Sequence, residues 1–376
     1  MKKTLVALAA LASMSAFAQS SVTLYGIADV WLGNSKTTVT QAGVSSANVI
    51  GGAGDKFNPT PALGAGNGVA QNLLGSGGIS GSRWGLKGSE DLGGGLKANF
   101  QLESGFNIDT GTSAQGGALF GRQAFVGLSG GFGAVNFGRM YPMYDQLRGG
   151  SDPLGHSAFS ATAGSAWAIN RDYAFRINNA MSYDSPNLGG FSAGVTYGLG
   201  ENKTATTNAG SIISLKAVYA NGPIMAGLGY QVEKNVVGAN GQGVSIAAAV
   251  PADSAKETQI LLTGSYDFGV AKVRLAYNRS SDNSPVATNG GNDRKLALGV
   301  SAPFGPVTLA AVVANTKNVF VMGNAFGVLA IYSLSKRTSA YVGFNQTKAN
   351  TASPVVGFVT TNAKSQLLAV GVTHAF

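Results

Sequence analysis

Beyond its first eighteen residues the chain alternates apolar with polar side chains along nearly every stretch of about ten residues, the period that puts one set on each face of a strand. Phe191, Ala193, Val195, Tyr197 and Leu199 interleave with Ser192, Gly194, Thr196 and Gly198. Val273, Leu275 and Tyr277 interleave with Lys272, Arg274, Ala276 and Asn278. Each segment is greasy on one face and wet on the other.

The connectors between these segments alternate in length. Short ones run over Ser89–Gly95, Ser129–Gly133, Asp184–Gly190, Asn221–Pro223, Asp267–Gly269, Ala302–Pro306 and Leu334–Lys336. Their Gly and Pro residues supply positive φ or fix φ, as tight turns require. Between them lie long polar or Gly/Ser/Ala-rich stretches, Asn34–Gly78, Asn107–Ala118, Tyr141–Tyr173, Gly200–Gly210, Asn235–Ala255, Ser281–Gly291, Lys317–Met322 and Ala349–Asn362. Short turns at one end and long loops at the other predict an all-β, 16-stranded antiparallel transmembrane β-barrel. At this strand number side chains cannot fill the lumen, so a water-filled channel is expected.

Composition narrows the choice of solvent. With 55 Gly and only 11% charged residues in 376, the chain is far from an ordinary soluble domain, which carries about 25% charged residues. Disorder is excluded by 44% hydrophobic residues. No Cys and two His, His156 and His374, leave no disulfide framework and no Cys/His zinc site, and no cofactor is expected. Residues 1–18 read as a cleaved export signal: Lys2 and Lys3, the apolar run Leu5–Ala12, then Ala16-Phe17-Ala18. Residues 19–376 then form a single barrel domain. Removing two Lys from 26 basic residues leaves 24 against 17 acids, a net charge of +7.

No later window reaches 18 consecutive apolar residues, which excludes a helical membrane protein but not a barrel. Charges within the spans settle which face is which. Lys87, Lys97, Glu103, Lys216, Lys272 and Arg274 all share the polar parity. A Lys or Arg facing the lipid midplane costs about 2–4 kcal/mol, so the apolar set turns outward and the polar set lines the lumen. Phe376 closes the last strand in parity with Leu368, Val370 and Val372, and with Tyr219, Phe268 and Phe304 fits an interfacial aromatic girdle.

The whole mature chain resembles the trimeric general-diffusion porins of Gram-negative outer membranes, in particular their β-proteobacterial branch. The likeness rests on Ser21 to Gly26, on Ser82-Arg83-Trp84-Gly85-Leu86-Lys87-Gly88-Ser89-Glu90-Asp91-Leu92-Gly93, and on Phe120 to Leu128. It continues through Phe137-Gly138-Arg139, Tyr183 to Pro186 and the closing Gly371 to Phe376. The resemblance implies a homotrimer among outer-membrane lipid and lipopolysaccharide, passing small hydrophilic solutes and ions. It also implies a third long loop, Tyr141–Tyr173, folded inward as a constriction.

Carried over by position, Arg83, Arg122 and Arg176 match the basic wall of that constriction, on the second, fourth and sixth strands. Lys87 and Lys97 share the polar face and extend it, and Glu103 lies beside them. The inward loop supplies Asp145 and Asp152. Where enteric members carry a Pro-Glu-Phe-Gly-Gly motif, this chain reads Asp152-Pro153-Leu154-Gly155-His156, and the Glu is missing. Fewer acids against a full basic wall favour anions. Charges at the wide mouths are screened over about 8 Å at physiological salt. Across a gap of about 10 Å a unit pair interacts by about 0.4 kcal/mol at water's dielectric and about 1.7 at an effective value of 20. A mild anion preference follows.

Other chemistries fit less well. Gly190-Phe191-Ser192-Ala193-Gly194 matches G-x-S-x-G, yet a strand continues through it where a nucleophile elbow needs a helix. Gly64 to Gly68 mimics a dinucleotide fingerprint with no helix to follow. The basic residues lack interleaved stacking aromatics, so nucleic acid is not a partner. Two alternatives stay open: a substrate-specific channel, for which Tyr141, Tyr144 and Trp167 are the candidates, and a barrel enzyme using Ser with His374.

Overall fold

The computed structural model describes residues 21–39, 68–162, 167, 173–206, 208–235, 256–283, 291–317, 321–353 and 359–376. Residues 1–18, expected to be the export signal, and most of the first long loop lie outside the described residues. Strands run in the order β1 (Ser21–Val39), β2 (Val69–Ser76), β3 (Arg83–Gly93), β4 (Leu96–Gly105), β5 (Gln123–Gly130), β6 (Gly133–Met140), β7 (Ile177–Asp184), β8 (Phe191–Leu199) and β9 (Ser211–Asn221). They continue with β10 (Ile224–Lys234), β11 (Lys256–Asp267), β12 (Lys272–Asp282), β13 (Gly291–Phe304), β14 (Val307–Lys317), β15 (Val321–Ser333), β16 (Thr338–Ser353) and β17 (Val359–Ala375). Among the described residues the third long loop carries an α-helix, α1 (Met143–Ser151).

Every pairing among the described strands is antiparallel, and β1 closes the ring by pairing with β17 from Ile27↔Ala375 to Val39↔Ala363. The last residue is stitched in by reciprocal backbone hydrogen bonds of 3.0 Å between Gly26 and Phe376. Among the described residues there are 17 strand segments but sixteen staves, because β2 and β3 pair with successive stretches of β1 and together make the second stave. The first long loop is correspondingly shorter than Asn34–Gly78, since β1 continues to Val39 and β2 starts at Val69.

The break between β2 and β3 is held by one carboxylate. Asp29 of β1 is fully buried and accepts hydrogen bonds from the backbone N–H of Gly78, Ile79 and Ser80, at 2.8, 3.1 and 2.9 Å, and from the Tyr341 hydroxyl at 2.6 Å. A buried charge needs this degree of satisfaction.

The two faces sort as the alternation demands. Leu275, Leu298, Val313, Leu368 and Val370 are each 50% or more exposed, whereas the strand neighbours Ala276, Ala297 and Val312 are 4% or less. The exposed set forms an apolar outer band and the other set faces the lumen. What buries the inward set is the third long loop. Pro142, with φ −69°, sets up the start of α1, and the Tyr144 N–H donates to Ser214 Oγ of β9 at 2.8 Å. Lys216 of β9 reaches back to Gln146 at 2.6 Å and to Asp184 at 2.7 Å. Beyond the helix, Pro153 lies over Gly299 and Phe159 over Gly327 and Gly343. Asn345 donates to the carbonyls of Phe159 and Ser160 at 3.2 and 2.8 Å, and the Ala158 N–H donates to the Gly78 carbonyl in the break at 2.8 Å. The loop therefore runs along the inner wall from β9 to the second stave.

Inward-facing glycines make room for it. A Cβ on Gly343 would lie 2.4 Å from the Phe159 ring, and one on Gly327 would lie 1.8 Å from the Phe159 carbonyl oxygen. Phe159 is itself fully buried and meets Tyr341 edge-on at 6.0 Å between ring centroids. Part of the chain's high glycine content is thus a seat for a loop against a wall.

Candidate pore constriction

Outside the described contacts of the loop stand β3 to β7, which carry most of the arginines singled out in the sequence. Glu103, near the upper end of β4, is 4% exposed. Arg122, one residue before β5, donates through Nε to Glu103 Oε1 at 2.7 Å. Its Nη2 donates to the Tyr141 hydroxyl at 2.8 Å, and Arg176, one residue before β7, donates to the same oxygen at 2.8 Å. Tyr141 is the first residue after β6, so three staves converge on one phenol. Arg176 also stacks 4.8 Å over the Tyr141 ring and 4.9 Å over Phe175.

Arg83 opens β3 directly below the stave break, where its Nη2 donates to Ser80 Oγ. It lies within electrostatic reach of both Arg122 and Glu103. Below it Lys87 sits 5.1 Å over the Tyr25 ring, and the Tyr25 hydroxyl accepts from Gln101 at 2.7 Å while donating to Glu103 Oε2 at 3.0 Å. Lys87, Arg83, Glu103, Arg122 and Arg176 are thereby linked in one network.

Lys97 is on the right face but at another height. It is the second residue of β4, six residues below Glu103 and so about 20 Å away along the strand, at the short-turn mouth. Sequence reasoning left out Arg139. Strict alternation puts it on the lipid face with Phe137, which is 52% exposed. The register of β6 against β7 slips between Gly138 and Met140, and Gly138 has φ +137°, a conformation costly for other residues. This bulge lets Arg139 donate to the Gly121 carbonyl at 2.9 Å and to Asn178 Oδ1. It also brings Arg139 within electrostatic reach of Arg176. The motif Phe137-Gly138-Arg139 was the visible signal, since a glycine inside a strand marks a bulge.

The loop acids do not face this wall as bare carboxylates. Asp145, on α1, is 4% exposed, accepts from the Tyr173 hydroxyl, and has His156 Nε2 at 3.9 Å. Asp152 is 4% exposed and accepts from the Leu154 N–H and Thr162 Oγ1, both at 2.7 Å, and from Ser160 Oγ. Both are spent on holding the loop's own shape. The loop also carries Arg148, which donates to the Thr162 carbonyl at 2.7 Å and stacks 4.7 Å over Tyr173. Among the described residues of this network, four arginines and Lys87 against Glu103 give five positive charges to one negative, a local excess of +4. Such a surface raises the concentration of anions beside it.

The comparisons place this barrel among known proteins. A family model described as Gram-negative porin matches residues 4–352. An outer membrane porin protein of Bordetella pertussis is 34% identical over 417 residues, with all of both chains covered. The solved anion-selective porin from Comamonas acidovorans is 28% identical, with a TM-score of 0.72 over 95% of this chain and 100% of that one. A Vibrio cholerae outer-membrane protein, solved in a trimer form, has a TM-score of 0.63 over 95% of this chain and 99% of its own at 14% identity, a likeness of fold.

Proposed function

Since the chain belongs to the Gram-negative porin family, with its barrel in the outer membrane, we propose that its pore passes small hydrophilic anions in preference to cations, by diffusion and without chemistry. The observation that carries this reading is the network of Arg83, Arg122, Arg139 and Arg176 around Tyr141, answered among the described residues by the single acid Glu103 while Asp145 and Asp152 are buried in the loop. The solved relative described as anion-selective supports it. The same reading includes a homotrimer, in keeping with the trimer form of the Vibrio cholerae fold relative, and removal of residues 1–18 on export.

The preference is modest in size. Ions crossing a hydrated pore keep most of their water, so each wall charge acts through a high dielectric, worth about 0.4 kcal/mol per unit charge at about 10 Å. In a planar bilayer with a KCl gradient, the purified protein should give a reversal potential on the chloride side of zero. A potential on the potassium side contradicts the proposal.

A further inference from the structure

On the long-loop side of the arginine network, the barrel from β7 to β10 holds a cavity of about 230 Å³. It lies where Ile177 opens β7, where the chain leaves β8 and enters β9, and where Asn235 follows β10. Ala174, Ile177 and Ile212 give it an apolar floor, all three buried and packed in one cluster. Its rim is rich in amides that are held in place. Asn202 Oδ1 accepts from the Gly210 N–H at 2.7 Å, Asn179 Nδ2 donates to Glu201 Oε2 at 2.7 Å, and Asn178 Oδ1 accepts from Arg139. Asn179, Glu201 and Asn235 have φ of +50°, +52° and +50°, a region uncommon outside Gly and best tolerated by Asn. Such conformations gather at ligand clamps.

Two polar atoms of the lining are left over. Arg176 is 8% exposed and gives Nη2 to Tyr141, but its Nε has no hydrogen-bond partner among the described residues, and neither has the buried Oδ1 of Asn235. A buried donor or acceptor without a partner is costly, and native structures keep few. Together the two atoms select the chemistry of a guest. An anion would answer the arginine and be repelled by the amide oxygen, and a cation would do the reverse. With Nη2 already engaged, Nε offers a single N–H and not the fork that grips a carboxylate. Among the described residues lining the cavity there is no aromatic ring for a sugar to stack on, and no acid. A secondary amide supplies both missing partners, a C=O to accept from Arg176 and an N–H to donate to Asn235. Short aliphatic groups on either side of it suit Ile177 and Ile212. The size agrees: the cavity is smaller than the roughly 300–1,000 Å³ of drug-sized sites and several times the roughly 30 Å³ share of one water.

We propose that this cavity is a binding site for small uncharged amides, with the amide bridging Arg176 Nε and Asn235 Oδ1 and its aliphatic groups on Ile177 and Ile212. The inference rests on the pore reading in that the solute reaches the cavity through a water-filled lumen, but not on the sign of ion selectivity. Affinity for so small a ligand is in the millimolar range, weak enough for the solute to leave again.

The test uses the purified full barrel in detergent micelles, with binding of N-acetyl-leucinamide and of isovalerate read by ligand-observed saturation-transfer NMR, and reversal potentials in a KCl gradient measured in parallel. The parent should bind N-acetyl-leucinamide saturably. Asn235→Gly, which keeps the left-handed backbone and removes the acceptor, should weaken that binding about fivefold, the loss expected of one neutral hydrogen bond, and leave isovalerate unchanged. Asn221→Gly, at the short-turn end of β9, should bind the amide as the parent does. Absence of saturable amide binding in the parent means that the cavity holds water alone and overturns the proposal. Equal amide affinity in the parent and Asn235→Gly also overturns it, as does a loss of isovalerate binding in Asn235→Gly as large as that of the amide. A reversal potential on the potassium side speaks against the anion preference and leaves the amide affinities to decide this inference.

Discussion

Arg83→Glu should move the pore strongly toward cations. The substitution changes the wall charge by two units beside the stave break, where Arg83 is coupled to Arg122 and Glu103. For an ion passing about 10 Å away, the barrier falls by about 0.8 kcal/mol for potassium and rises by about 0.8 kcal/mol for chloride, even at water's dielectric. The permeability ratio then shifts roughly fifteenfold, enough to bring a mild anion preference to or past reversal. Lys97→Glu makes the same change of charge at the short-turn mouth. There the Debye length of about 8 Å screens it from the narrow zone about 20 Å above, and its shift should be several times smaller. Reversal potentials of the two variants in one KCl gradient check the pair. Equal shifts would mean that selectivity is spread over the whole lumen and not set at the arginine network.

Phe159→Ala should release the inward loop and enlarge the channel. Phe159 is fully buried against Gly327, Gly343 and Tyr341, and truncating a buried Phe typically costs about 3–5 kcal/mol. The barrel does not depend on this contact, because its sixteen staves are closed by backbone pairing. The loss falls on the loop, which is held near its tip by Phe159, by Asn345 and by the Ala158 to Gly78 hydrogen bond. Single-channel conductance should rise and become noisier, with weaker selectivity. Gly343→Leu should do the same from the wall side, since even a Cβ there would overlap the Phe159 ring at 2.4 Å. Conductance unchanged in both variants would show that the loop does not set the narrowest section.

The barrel was legible in the sequence because its boundary condition is severe. Outward positions of the apolar band meet hydrocarbon, so the period of two in Val273, Leu275 and Tyr277 survives along the chain, and lipid penalties keep charges such as Arg274 on the other face. Parity gives the face but not the height, which is why Lys97 had the right orientation and the wrong level. Where the period is locally broken, the pattern misleads. Gly138 turns Arg139 away from the parity of Phe137, and the Gly-rich stretch around Gly77 and Gly78 read as plain loop although it is a pause between β2 and β3 clasped by Asp29. Loop side chains obey no period at all. Asp145 and Asp152 were found as the acids of the third loop, but nothing in the sequence tells that Tyr173, Ser160 and Thr162 would occupy them. The glycine seat was equally hidden: composition shows the excess of glycine, while only the path of the loop shows which glycines it needs.

The claim beneath all of this is that alternate residues of one strand meet water in the lumen and lipid outside. The chain has no Cys, so single cysteines can report on it without a background. Cysteines placed one at a time at Lys272, Val273, Arg274 and Leu275 of β12, in native outer membranes, should react with a charged thiol reagent at positions 272 and 274 and stay protected at 273 and 275. Uniform labelling along the strand, or reaction at 273 and 275 with protection at 272 and 274, would contradict the account.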